Sequence, residues 1–176
     1  MTNPTLRANN KDIYDLYNDI ENSTLPAVSI VKPDGILDGH PASSKWDLFE
    51  GFVKKIVKMT QKNKALWAET AILITADEGG GYWDSGYVQA VDFFGDGTRI
   101  PMIAVSPFSK GGHVVHTYYD HVSFDKFVEK NWALPMISAT GRDNLPNPIS
   151  DSSNPWVPTN QPAIGDLMEM FHFPSS

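Results

Sequence analysis

The chain has 176 residues, a formal net charge of −7 and no cysteine. That length suffices for one compact domain with a core. The acidic balance argues against nucleic acid as a partner, because phosphate backbones are gripped by clustered Lys and Arg, and the missing thiols exclude disulfide frameworks, thiolate catalysis and cysteine-ligated zinc.

No apolar stretch approaches the roughly 18 residues that read as a membrane span, and the opening MTNPTLRANNKD has no apolar core of a secretory signal. The first predicted element is a helix near residues 11–21, where Ile13, Leu16, Tyr17 and Ile20 recur at helical spacing behind Asn9 or Asn10 as cap. Residues 25–31 (LPAVSIV) form a β-branched apolar run ended by Pro33 and Gly35, which predicts a buried strand followed by a loop. A second helix carries Trp46, Phe49, Phe52, Ile56 and Met59 on one stripe, with Ser44 as predicted N-cap and Asp47 three residues on. Lys54, Lys55 and Lys58 fall mostly off that stripe and read as its wet face.

Residues 70–76 (TAILITA) and 100–106 (IPMIAVS) are apolar without alternation, as in strands covered on both faces. Residues 121–132 predict a further helix with Phe124, Phe127 and Val128 facing inward. The order helix, strand, helix, strand, long loop, strand, helix predicts an α/β fold: a layered, mostly parallel sheet flanked by helices. Past about residue 140 the composition changes, with five prolines in residues 144–162, and residues 164–171 (IGDLMEMF) predict a short final helix docking through Ile164, Leu167, Met168 and Phe171. The predicted organisation is a domain over residues 1–140 and a Pro/Asn/Ser-rich extension over 141–176.

The chemistry concentrates at Asp77 and Glu78, two acids directly after an apolar strand and directly before Gly79, Gly80 and Gly81. Ligands of open α/β sheets bind at the carboxyl ends of strands. Adjacent carboxylates there repel one another and lose solvation, and a divalent cation relieves both costs. The glycines let the backbone turn sharply and leave room for a metal or phosphate. The competing reading is a solvated, glycine-rich turn. His40, before Pro41, lies in the loop after the first predicted strand, at the same sheet edge if the strands are parallel, where an imidazole can donate to phosphate or act as general acid. His113 and His116 suit a turn, and His121, beside Asp120, suits either a helix start or a site. Arg99 precedes its strand, so a parallel sheet puts it at the end opposite Asp77, and a structural ion pair is the favoured reading. The chain has no G-x-S-x-G elbow, P-loop or H-E-x-x-H, and no Ser or Thr stands where it would be activated as a nucleophile.

These residues carry a resemblance. LPAVSIVKPDG at 25–35, His40-Pro41, GFVKKIV at 51–57, the run from Trp67 through TAILIT to the Asp77-Glu78 glycines, PMIAVSPFSKGG at 101–112 and YYDHVSFDKFVE at 118–129 together resemble the C-terminal half of a bacterial phosphoesterase family. That family contains non-haemolytic phospholipase C and a related acid phosphatase, within the alkaline-phosphatase-like superfamily. The resemblance implies a divalent metal ion held by Asp77 and Glu78, and phosphoester hydrolysis through a phosphoenzyme. It implies His40 as a donor or acid facing the phosphate, His121 and Asp84 as substrate-binding candidates, and a phospholipid or phosphomonoester substrate. It also implies periplasmic or secreted localisation. The remaining ligands and the hydroxyl nucleophile would come from the N-terminal half, with no nucleophile in this chain.

Two departures stand out. Where many family members read Tyr-Asp-His-Val after the glycines, this chain has Trp83-Asp84-Ser85-Gly86, and nothing before Lys11 could supply a strand bearing the nucleophile. The alternatives to an enzyme are therefore a non-catalytic metal- or anion-binding fragment, or a structural remnant that needs a partner chain over its exposed apolar surface.

Overall fold

The computed structural model describes residues 3–86, 88, 95–145 and 164–173. It comprises two compact units: Met1–Ser85 with Arg99–Pro107, and Gly86–Thr98 with Phe108–Ser176. The second unit thus contains described residues on both sides of position 140.

The first unit begins with α1 (Pro4–Ala8), whose Asn3 cap and early proline start a single turn. The amphipathic α2 (Ile13–Asn22) follows. Its cap is Asp12 rather than Asn9 or Asn10. Asp12 Oδ1 accepts from the amides of Tyr14 and Asp15 at 2.8 and 3.0 Å, and Asp15 Oδ2 accepts the Asp12 amide in return at 3.1 Å. The apolar stripe delivers Ile20 to full burial.

The predicted aromatic stripe forms α3 (Trp46–Lys62), with Phe52 its most buried ring. Ser44 does not cap this helix; its hydroxyl donates instead to the Ile36 carbonyl at 2.6 Å, closing the loop before it. Helices α2 and α3 meet through Lys55, whose ammonium lies 3.5 Å from the Tyr17 ring centre.

Asn63 ties three elements together. Its amide donates to the Ile20 carbonyl and the Ser23 hydroxyl, both at 2.8 Å, and its carbonyl caps the short α4 (Lys64–Trp67) through the Leu66 amide at 3.3 Å. Asn63→Ala removes a cap and leaves the Ile20 carbonyl short of a donor. We expect urea denaturation to show a loss of about 2 kcal/mol, of which Asn63→Asp restores only the capping share.

The two unalternating apolar runs form β1 (Ile72–Thr75) and β2 (Met102–Val105). The strands pair antiparallel, with Ile72 opposite Val105 and Thr75 opposite Met102, and form a two-stranded sheet. The parallel pairing expected from the element order is therefore corrected for the described residues. The expected cover on both faces is corrected too: β1 is half-buried along its length, and in β2 Ile103 is exposed. An apolar run without alternation does not encode strand direction. Residues 25–31 form no ladder among the described residues, and Val28, Ile30 and Val31 are exposed, Ile30 by 96%.

In the second unit, α5 (Val122–Asn131) forms where a helix is predicted, but its buried residue is Ser123, while Phe124, Phe127 and Val128 are half-buried. The final segment docks through three of the four expected residues, with Met168 half-buried, and not as a helix. Ile164, Leu167 and Phe171 are buried, while Leu167 has φ +62° and only a 3₁₀ turn, Met168–Met170, follows. Its amides and carbonyls serve a bridge to residues 108–110 instead: Phe171 pairs with Ser109, and the His172 amide donates to the Phe108 carbonyl at 2.7 Å. Gly165 permits that docking, since a Cβ there would come within 2.4 Å of the Tyr119 ring. Burial, then the bond to Glu169 at 2.7 Å, raises the Tyr119 phenol above its ordinary value, so it stays a neutral donor. Of the Pro-rich stretch 144–162, all but Asn144 and Leu145 lie outside the described residues.

Candidate active site

Strand β1 ends at Thr75, and its hydroxyl donates to the Pro101 carbonyl at 2.7 Å, fastening the exit of β1 to the entry of β2. Asp77 and Glu78 leave this junction, followed by the turn in which the Tyr82 amide donates to the Gly79 carbonyl at 3.0 Å. Gly80, at φ +61°, lies close against Pro41; a Cβ would stand 3.2 Å from the proline ring. Both the left-handed backbone and the close approach call for glycine here. The acidic turn is thereby set against the loop that carries His40.

That loop is knotted by its own polar groups. Asp38 accepts the His40 amide at 2.9 Å, and the His40 carbonyl accepts from Ser43 and Ser44 at 3.1 and 2.7 Å. The His40 ring is oriented too, because Nδ1 accepts the Ala42 amide at 3.2 Å. In the neutral imidazole the proton therefore sits on Nε2, which faces Glu78 Oε1 at 3.8 Å. The rim is aromatic. Tyr82 packs on Trp46 with ring centres 5.3 Å apart and donates to the Gly39 carbonyl at 3.2 Å. Between these groups is a cavity of about 20 Å³, lined by His40, Asp77, Glu78, Trp46 and Tyr82 among others. Its enclosed part has room for a single small species such as a water or a bare ion.

One cation is already present. Lys32 Nζ lies 2.5 Å from Asp77 Oδ2, with both side chains about two-thirds exposed, at 68% and 67%. The hydrogen bond from Lys32 holds the Asp77 carboxyl below the usual carboxylate range, and the same bond raises the Lys32 ammonium, so both are charged at neutral pH. The small contribution of this pair to stability is complete above the ordinary carboxylate range and is lost as pH falls through the depressed value for Asp77. Sequence reading missed Lys32; the available signal was its place just beyond the apolar run 25–31, the edge position that singled out His40.

The donor set suits a hard dication in part. It offers two carboxylates and one imidazole, and Asp77 already holds a positive charge. Among the described residues no three His, Asp or Glu side chains converge on one point, so such an ion would take further ligands from water or another segment.

The other predicted residues lie elsewhere. Asp84 Oδ2 accepts the Arg99 amide at 2.7 Å, and Arg99 Nη1 donates to Ser85 at 3.4 Å. Asp84 thus fastens the returning chain, and it does not line the Asp77 cavity. Antiparallel pairing also puts Arg99 at the same end of the sheet as Asp77, the reverse of the expectation from a parallel sheet. His121 belongs to the second unit, at the start of α5, stacked on Phe124 with ring centres 6.5 Å apart. It borders a separate cavity of about 340 Å³ with Gly95, Asp96, Asp120 and Arg142. There the Arg142 guanidinium bridges two carboxylates, Nε to Asp120 at 2.7 Å and Nη2 to Asp96 at 3.3 Å. His113 and His116 are in the loop between β2 and α5.

The chain belongs to the phosphoesterase family, whose model matches residues 2–135. It is 29% identical over 188 residues to a protein named non-hemolytic phospholipase C from Burkholderia pseudomallei, covering 91% of this chain and 25% of that protein. It is 28% identical to phospholipase C B from Mycobacterium tuberculosis, covering 81% of this chain and 32% of that protein. It is likewise 28% identical to a protein named "Probable acid phosphatase" from Kluyveromyces lactis, covering 88% of this chain and 34% of that protein. The chain thus spans between a quarter and a third of the length of these relatives. Their names are those of phosphoester hydrolases, as the resemblance implied. No described helix is long and apolar enough to cross a membrane.

Proposed function

We propose that this chain supplies part of the metal seat and an acid or donor group of a phosphoester hydrolase of the phospholipase C or acid phosphatase type. The nucleophile would come from a segment corresponding to the rest of the relatives' length. The observation that carries this reading is the Asp77–Glu78 pair at the exit of β1 with the His40 Nε2 facing it, in a chain whose relatives are named for phosphoester hydrolysis. A divalent ion held there would supply Lewis-acid stabilisation of charge on phosphoryl oxygen. Asp77 and Glu78 hold and orient; His40, its tautomer fixed by the Ala42 amide, presents an N–H to a phosphoryl or leaving-group oxygen. The Trp46–Tyr82 rim shields this polar spot on one side.

The layered, mostly parallel sheet of an alkaline-phosphatase-like fold is the frame we assign to the assembled protein, with residues 25–31 as one of its strands. A two-stranded sheet is marginal by itself, and Ile30 and Ile103 are exposed by 96% and 53%. Those exposed groups also favour the second reading, a remnant needing a partner chain, but a sheet completed by the nucleophile-bearing segment covers them equally well. Export to the periplasm or beyond follows from the resemblance.

The test is a substrate panel of phosphatidylcholine, glycerophosphocholine and p-nitrophenyl phosphate. It is run on this chain assembled with the nucleophile-bearing segment, before and after EDTA. We expect hydrolysis of at least one phosphoester, lost on chelation and restored by a divalent ion. Turnover indifferent to EDTA, or none on any of the three, overturns the reading.

A further inference from the structure

The contact between Lys32 and Asp77 joins residues 45 positions apart, so it is not a by-product of local chain geometry. The Lys32 ammonium also feels the negative charges of Asp38 and Glu78, which places it in the field of three carboxylates. Its stem is exposed and its partner is open to solvent. An ion pair so placed exchanges readily, since water replaces each partner at little cost. Asp77 therefore has a counter-ion of its own.

We propose that Lys32 is the resident counter-ion of the Asp77–Glu78 seat and sets its affinity for divalent metal. The ammonium neutralises Asp77 while the seat is empty of metal and has to leave that carboxylate when a dication takes it. This inference rests on the proposed metal-holding role of Asp77 and Glu78. No bond is made or broken covalently and no proton is transferred; one cation replaces another. The arrangement has a consequence for selectivity. A dication gains roughly twice the Coulomb attraction of a monovalent ion, and so competes better with the exposed ammonium for Asp77.

The test is calorimetric titration of the whole chain with MnCl₂ at low ionic strength, which reads binding rather than turnover. Lys32→Met removes the competing charge and keeps the length of the side chain, and Mn²⁺ binding should tighten about fivefold. Lys32→Arg keeps the charge and should stay within about twofold of wild type. Lys58→Met, an equally simple loss of charge on the exposed face of α3, should also stay within about twofold. Asp77→Asn should lose the binding in both the wild-type and Lys32→Met backgrounds.

If Lys32→Met binds no more tightly than wild type while Asp77→Asn still abolishes binding, the metal seat stands and the counter-ion role is overturned. Equal tightening in Lys58→Met also overturns it, because the effect is then one of net charge. If Mn²⁺ binds neither protein, or binds regardless of Asp77→Asn, the seat itself is wrong and the inference goes with it.

Discussion

Asp77→Asn is expected to abolish metal-dependent phosphoester hydrolysis by the assembled enzyme, lowering kcat/KM by about 10³-fold or more. The substitution removes one of two carboxylates directed at a single cavity and keeps the shape of the side chain, so the loss is one of charge and ligation. A Lewis acid contributes several kcal/mol to a phosphoryl-transfer transition state, and each factor of ten in rate corresponds to about 1.4 kcal/mol. Removing a ligand whose charge the ion needs forfeits most of that. The fold should survive, because Asp77 is exposed and its partner in this chain, Lys32, is exposed too. Kinetics of the wild type and variant across a range of added metal check the prediction. A rate unchanged at every metal concentration removes Asp77 from the chemistry.

The 176-residue chain by itself is expected to hydrolyse p-nitrophenyl phosphate no faster than buffer containing the same metal. Among the described residues no serine or threonine lines the cavity beside Asp77 and Glu78. A metal seat and a proton donor without an attacking hydroxyl can polarise a phosphoester but cannot form the phosphoenzyme that the resemblance implies. The same chain assembled with a nucleophile-bearing segment should gain several orders of magnitude. Steady-state assays of the chain alone and of the assembly decide this. Robust turnover by the chain alone that vanishes in Asp77→Ala would show that the nucleophile lies within it after all.

The legible parts of this sequence were those written in local periodicity. The stripes of α2 and α3 follow from residues three and four apart, and Ile20 and Phe52 are buried where those stripes put them. Caps were less legible, because Asn9, Asn10, Asp12 and Ser44 are all competent acceptors, and the choice depends on where the chain turns. Ser44 went to the Ile36 carbonyl, a partner no cap pattern contains.

Strand pairing was the least legible. The composition of β1 and β2 announces cover on both faces, which these half-buried strands do not have, and says nothing of direction. The apolar run 25–31 announces a strand, yet it joins no ladder among the described residues. At the site, the acidic pair and His40 could be singled out because each follows an apolar run at a predicted sheet edge, and the structure brings them to one cavity. Lys32 escaped notice because a lysine is unremarkable in sequence until the fold places it 2.5 Å from Asp77. The grouping of His121 and Asp84 as substrate-binding candidates came from the resemblance. The described contacts give Asp84 a backbone amide to hold and put His121 in the second unit.

The central claim is that Asp77 and Glu78 hold a divalent ion. Its most direct test is the metal content of the assembled enzyme, measured by inductively coupled plasma mass spectrometry after exhaustive dialysis, for wild type and for the double variant Asp77→Asn, Glu78→Gln. The account predicts at least one equivalent of a divalent metal per chain in the wild type and none in the double variant. Equal metal content in the two proteins would contradict it.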